Sequence, residues 1–88
     1  GTSPLMIAAF SGHIQAVRML LDRGHASLTA RNASEQTAMS LAAAEGRADV
    51  VDLLLRRGFP VDFVDEFGWT PLMLASHANQ PQVIATLL

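Results

Sequence analysis

Internal repetition is the feature that most constrains how this 88-residue chain can fold. Gly12 and Gly46 are 34 positions apart, and the same distance separates Gly24 from Gly58. A period of this length is typical of stacked supersecondary units, because each unit alone cannot bury its apolar face. We therefore predict about three units, spanning residues 1–31, 32–64 and 65–88, with the last one truncated.

Each unit opens with the same helix-start signal, which is clearest at residues 68–75. Gly68 can take a positive φ, Thr70 can cap a helix with its hydroxyl, and Pro71 suits the first helical position. Earlier copies occupy residues 1–9 and, in degraded form, residues 37–43. The signal therefore predicts a short helix at the start of every unit.

A tight turn and a longer amphipathic helix follow each short helix. The predicted short helices are residues 4–10, 38–44 and 71–77, and the predicted long helices are residues 14–23, 48–57 and 81–88. Gly24 and Gly58 fit the left-handed position at which a helix stops. The connections that follow, residues 25–36 and 59–69, are rich in turn formers and are predicted to be hairpin-like loops.

Composition excludes several classes of protein. Half of the residues are hydrophobic and 16% are charged, which excludes a disordered tail, and the net charge of −2 argues against a nucleic-acid binder. No apolar run reaches 18 residues, so no membrane insertion is expected. Cysteine is absent, which excludes thiolate chemistry and fits a reducing compartment. We therefore expect an intracellular protein, in the cytoplasm or the nucleus.

These features together resemble the ankyrin repeat family, in which a 33-residue helix–turn–helix unit opens with Thr-Pro-Leu. The strongest matches are residues 70–75 and residues 42–58. The resemblance implies an all-α solenoid of stacked helix–turn–helix units joined by hairpin-like loops, forming a single domain over residues 1–88. Neither end carries a polar capping unit, so we expect a segment from the interior of a longer array.

The chain also departs from the family pattern. The histidine that usually follows Thr-Pro-Leu is replaced, so the polar network that it forms is expected to be absent or replaced by packing. The replacements are Met6, Ser40 and Met73. By register, all four methionines (Met6, Met19, Met39 and Met73) are expected in the core.

Residues that could carry chemistry are scattered. The three histidines, His13, His25 and His77, fall in different units without metal-ligand spacing. Asp62, Asp65 and Glu66 lack the alternating positions of a calcium loop, which favours a solvated loop. No phosphate-binding loop is visible. We expect no catalytic residue, no cofactor and no metal, and hence no enzymatic activity in this segment.

The resemblance implies instead that loop tips and outward positions of the short helices form one concave, partner-binding face. The candidate positions are Thr2, Phe10, Ser11, Ala33, Ser34, Gln36, Ala44, Glu45, Glu66, Phe67, Trp69, His77 and Ala78. Aromatic anchors often dominate binding energy, so Trp69, Phe67 and Phe10 stand out. The alternative is that Trp69 packs on a neighbouring loop or unit and that Phe10 is buried for its area.

The resulting hypothesis is a non-enzymatic protein–protein interaction module or scaffold. Acidic residues beside the aromatic loop residues suit a protein or extended peptide that carries Arg or Lys and an apolar anchor. One alternative is a structural spacer that only sets the curvature of an array. Another is a regulatory ankyrin segment of a larger enzyme, channel or transcription regulator, because fold alone does not define function.

Overall fold

The computed structural model describes residues 3–24 and 27–88, in which the regular secondary structure consists of helices. Their bounds are α1 Pro4–Ser11, α2 Ile14–Asp22, α3 Ala38–Glu45, α4 Ala48–Arg56, α5 Pro71–His77 and α6 Pro81–Leu87. Each predicted helix is present, with its ends within one residue of the prediction. Over these described ranges, no helix has both the length and the apolar character needed to cross a bilayer.

The short helices begin where a hydroxyl side chain accepts a hydrogen bond from a backbone N–H of the first turn. The acceptors are Ser3, Thr37 and Thr70, at 3.3, 3.1 and 3.3 Å from the nitrogens of Met6, Ser40 and Met73. In α3 the Ser40 hydroxyl also accepts from the Thr37 N–H at 2.8 Å and so completes a capping box. This second hydrogen bond stabilises the start of α3, where Ala38 stands in place of the proline that begins α1 and α5.

The tight turns between short and long helices use the left-handed backbone conformation. Gly12 and Gly46 have φ values of 75° and 76°, and Asn79 takes the equivalent place in the third unit with φ 56°. Glycine carries no steric penalty there, and asparagine is among the residues that tolerate it. Gly24 and Gly58, which follow the long helices, also have positive φ, as predicted.

The helices stack in two layers around one continuous core. The short helices α1, α3 and α5 lie side by side, and the long helices α2, α4 and α6 form the second layer. The fully enclosed side chains include Val17, Met39, Val50, Leu54 and Val83. The middle unit contributes more of them than either other unit because it has a neighbour on both sides. This is the arrangement of a helical solenoid.

The prediction that all four methionines are buried was wrong for two of them. Met6 and Met39 are buried, but Met19 is 52% exposed and Met73 is 47% exposed. Met19 has the register position of Leu53, which lies against α2 of the preceding unit, whereas no described unit precedes α2. Met73 lies in the third unit, after which no loop is described that could cover it as the loop containing Asn32 and Gln36 covers Met6. Position in the stack, more than side-chain type, decides their burial.

Candidate partner-binding groove

The two loops owe their shape to one polar side chain each. The Asn32 carboxamide oxygen accepts hydrogen bonds from the backbone N–H groups two and four residues later, at 2.9 and 3.0 Å. The Asp65 carboxylate does the same, at 2.9 Å in both cases. Asn and Asp favour this local turn because their short side chains reach the backbone ahead of them. The tips of both loops are therefore held in the same shape.

Arg31 links its own loop to the loop of residues 59–69. Its guanidinium donates to the Glu35 carbonyl at 2.9 Å and to the Val64 carbonyl, and it lies 4.2 Å from the ring centroid of Phe63. The Glu35 carboxylate is 3.6 Å away and forms an ion pair with it. A planar guanidinium can serve all these partners at once. Arg31 thus provides a polar link between adjacent loops.

A second set of links joins the units at the carboxyl ends of the short helices. Arg47 Nε donates to the Phe10 carbonyl at 3.1 Å, and Gln80 Nε2 donates to the Ala44 carbonyl at 2.9 Å. These carbonyls belong to the last turns, whose backbone acceptors have no partner within their own helix. The short helices are therefore fixed to their neighbours at this end, as the loops are at the other.

Between the loops and the short helices lies a concave surface with two adjoining depressions, which we call the groove. The first depression has a volume of about 220 Å³ and is lined by Met6, Ile7, Phe10, Asn32, Gln36 and Leu41. The second, of about 170 Å³, is lined by Ser34, Gln36, Ser40, Leu41, Ala44, Asp65, Glu66, Phe67 and Leu74. Gln36 and Leu41 belong to both and form the ridge between them.

The structure separates the three aromatic candidates. Phe10 is 46% exposed and Phe67 is 77% exposed, so both are accessible on the surface. Trp69 is half-buried, and its ring lies edge-on to His77, with 5.1 Å between centroids and 77° between planes. For Trp69 the packing alternative therefore describes the structure better than a free anchor, because the ring packs on His77 and also lines a recess with Ser40 of the preceding unit.

Some of the predicted site residues line the groove and others do not. Those in the lining are Phe10, Ser34, Gln36, Ala44, Glu66 and Phe67. Those outside it are Ser11, Ala33, Glu45, Trp69, His77 and Ala78. Trp69 lines a neighbouring recess with Arg31 and Pro71. Thr2 lies outside the described residues.

Residue-by-residue prediction missed the apolar floor of the groove. Ile7, Leu41 and Leu74 occupy the same position in the three short helices and line the two depressions. The sequence places them in short helices that are apolar on nearly every side, so that no outward face stands out. Ile7 is nevertheless 57% exposed. Their shared register, three residues before Phe10, Ala44 and His77, was the signal that could have found them.

Charge is distributed unevenly around the groove. Glu35 is paired with Arg31, and one oxygen of the Asp65 carboxylate accepts two backbone hydrogen bonds from its own loop. Glu66 is exposed and forms no ion pair with any described residue. In the long-helix layer, Arg56 of α4 pairs with Asp52, and Arg57, which follows α4, pairs with Asp22 of α2. In residues 3–24 and 27–88, no three His, Cys, Asp or Glu side chains are grouped so as to hold a metal.

Stacked helix–turn–helix units with a concave face of loops and short helices define a helical repeat protein. Residues 5–88 match the profile of the family described as "Ankyrin repeats (3 copies)". The chain belongs to the ankyrin repeat family, as its sequence resemblance predicted.

Curated relatives are much longer proteins that contain a similar segment. The chain is 35% identical over 75 residues to mouse protein phosphatase 1 regulatory subunit 12A, which covers 85% of the chain and 7% of that protein. It is 37% identical over 83 residues to serine/threonine-protein kinase 12 of Arabidopsis thaliana, covering 94% of the chain and 18% of the kinase. It is 42% identical over 74 residues to the ankyrin repeat and KH domain-containing protein mask of Drosophila melanogaster, covering 82% of the chain and 2% of that protein. The chain thus spans less than a fifth of each relative.

Proposed function

We propose that this chain is a protein-binding module whose groove holds an extended peptide carrying an apolar side chain and an Arg or Lys. Ankyrin repeats generally mediate protein–protein interactions and are not catalytic themselves. The observation that carries the proposal is the groove, with its exposed apolar residues beside an unpaired carboxylate. Among the predicted residues, Phe10, Ser34, Gln36, Glu66 and Phe67 contact the peptide, and the remaining ones lie on its flanks.

The exposure of large apolar side chains supports this choice of surface. Ile7, Phe10 and Phe67 are each between 46% and 77% exposed. Apolar surface left in water is normal when scattered, but a contiguous patch rimmed by polar residues is typical of an interaction site. Apolar contact with a peptide would provide the binding energy, and Glu66 would select for a basic residue.

Regulation of a catalytic domain is a second candidate function, because one relative is a serine/threonine-protein kinase. The segment would then bind another part of its own polypeptide through the same groove. A spacer that binds nothing is the remaining alternative. For all three we propose an intracellular location, as expected from the absence of cysteine.

The proposal is tested by selecting binders from a random twelve-residue peptide display library with the 88-residue protein. Affinities of the selected peptides are then measured by fluorescence anisotropy against the wild type, Phe67→Ala and Trp69→Ala. We expect Phe67→Ala to weaken binding about tenfold, because it removes an exposed anchor. Val61→Ala is the matched control, since Val61 is 57% exposed and does not line the groove.

Trp69→Ala also removes packing on His77, so its far-UV circular dichroism is compared with that of the wild type. Phe67→Ala is decisive because the side chain is 77% exposed, so we expect its loss to leave the fold intact. Selection of no binding peptide, or equal affinity for the wild type and both variants, would refute the proposal. Unchanged peptide affinity for alanine variants at all groove residues would favour the spacer.

A further inference from the structure

The two halves of the groove differ in chemistry, so each half favours a different side chain of a bound peptide. Resting on the proposed function, we propose that the first depression holds the apolar side chain and that Glu66 binds an arginine three residues away in the same peptide. The backbone between these two residues crosses the ridge formed by Gln36 and Leu41. The ligand class is thus a short extended segment with one bulky aliphatic or aromatic residue and one arginine.

The first depression favours the apolar residue. Ile7, Phe10 and Leu41 line it, and no carboxylate does. The guanidinium of Arg47 is bonded to the Phe10 carbonyl at this end. A second cation placed here would be repelled by Arg47 and would find no acidic partner, whereas an aliphatic or aromatic side chain would lose its contact with water.

The second depression favours the basic residue. Of its two carboxylates, Asp65 already accepts two backbone hydrogen bonds, whereas Glu66 is exposed and unpaired among the described residues. Arginine fits this site better than lysine because its planar guanidinium can bind a carboxylate with two parallel hydrogen bonds. It can also stack on an aromatic ring, and Phe67 lines the same depression.

Gln36 on the ridge is oriented to bind the peptide backbone. Its side-chain oxygen accepts a hydrogen bond from Asn32 Nδ2 at 2.9 Å, which fixes the carboxamide. The amide nitrogen of Gln36 donates to none of the described residues, so it can donate to a peptide carbonyl passing over the ridge. A backbone hydrogen bond of this kind holds the chain between the two side-chain sites and carries no sequence preference.

The spacing of the units sets the spacing of the two side chains. Neighbouring packed helices are separated by about 8–10 Å, so equivalent depressions in adjacent units are about that far apart. A polyproline II segment rises about 3.1 Å per residue with three residues per turn, so side chains at i and i+3 lie on one face about 9 Å apart. In a β-strand, residues i and i+3 point to opposite faces. We therefore expect the pattern apolar-x-x-Arg, or its reverse.

The test uses fluorescein-labelled ten-residue peptides on a proline–alanine background. One pair carries Leu and Arg three positions apart in the two possible orders, and a third peptide has them two positions apart. In two further peptides the Arg of each three-residue order is replaced by Gln. Dissociation constants are measured by anisotropy with the 88-residue protein. We expect one of the two orders with three-residue spacing to bind the protein most tightly. The Gln version of that peptide should bind the protein about fivefold to tenfold more weakly.

Two pairs of protein variants test which part of the groove binds the apolar residue and which binds the arginine. Phe10→Ala should weaken the best Leu–Arg peptide about tenfold, and its control Met19→Ala, exposed on the long-helix side, should not. Glu66→Gln should remove the preference for Arg over Gln. Its control Asp62→Asn, at an exposed carboxylate outside the groove lining that is not a predicted binding residue, should keep that preference.

Equal binding of the two-residue and three-residue peptides, or an Arg preference that survives Glu66→Gln, would overturn this inference. The proposed function would still stand if library-selected peptides depend on Phe67. It would fail with the inference if neither the library nor the designed peptides bind. Loss of affinity in Met19→Ala instead of Phe10→Ala would place the peptide on the long-helix layer and contradict both.

Discussion

Replacing Gly46 by alanine tests how adjacent units are joined at the turn between their helices. Gly46 has φ 76°, and a Cβ atom built there would lie 2.4 Å from Oε1 of Gln80. That side chain donates the hydrogen bond to the Ala44 carbonyl that connects the third unit to the second. The substitution therefore perturbs the backbone of one unit and, through Gln80, its bond to the next.

The free energy of unfolding should fall for two separable reasons. A left-handed conformation costs an L-residue about 1–2 kcal/mol, of which about 0.4–1 kcal/mol is offset because alanine restricts the unfolded chain. Moving the end of the Gln80 side chain aside loses its hydrogen bond, which contributes about 1 kcal/mol. Gly68→Ala is the control, since Gly68 has φ 79° and no atom within 4 Å of the built Cβ. We expect Gly46→Ala to cost about 1 kcal/mol more than Gly68→Ala.

Urea unfolding followed by circular dichroism and by fluorescence of Trp69, the single tryptophan, measures these differences. A double-mutant cycle with Gln80→Ala isolates the interaction. Once Gln80 is truncated, Gly46→Ala should cost no more than Gly68→Ala. If Gly46→Ala costs the same with and without the Gln80 side chain, the proposed steric link between the units is wrong.

Three further predictions concern the core, the loops and the order of opening. Met39→Gln should lower the free energy of unfolding by about 2–3 kcal/mol because it buries an amide without a partner, whereas Met19→Gln should change it by less than about 0.5 kcal/mol. Similar losses for the two variants in urea unfolding would contradict the assigned burial. Arg31→Lys should lower stability by about 1 kcal/mol, since an ammonium cannot reproduce the planar contacts to Val64 and Phe63, and an unchanged urea midpoint would argue against this link. In hydrogen exchange, the amides of α3 and α4 should exchange most slowly because the middle unit is covered on both sides. Equal protection of all helices would exclude unfolding that begins at the outer units.

The prediction of helices from sequence succeeded because their signals are local. Thr70 and Pro71 predict a helix start through the hydroxyl cap and the restricted φ of proline, and both effects operate within a few residues. Asn79 at the third tight turn has φ 56°, a conformation that asparagine tolerates for equally local reasons. The same local rules located all the described helix ends to within one residue.

Exposure was harder to predict because it depends on neighbouring units. Met19 and Met73 have the composition and spacing of core residues, yet both are largely exposed. Trp69 was predicted to be either an anchor or a packed residue, and only its position against His77 shows that it is half-buried. Likewise, Arg31 is an ordinary loop residue in the sequence, and its bond to Val64 appears only when two loops are placed side by side.

By itself, the sequence determined the repeat, the helices and the family, because period, capping and turn chemistry are encoded within each unit of about 33 residues. The tertiary structure alone decided which apolar side chains form the core and which line the groove. Ile7, Leu41 and Leu74 share one register, yet Ile7 is largely exposed and the other two are half-buried. The physical reason is that burial of a side chain depends on the atoms that neighbouring units bring over it.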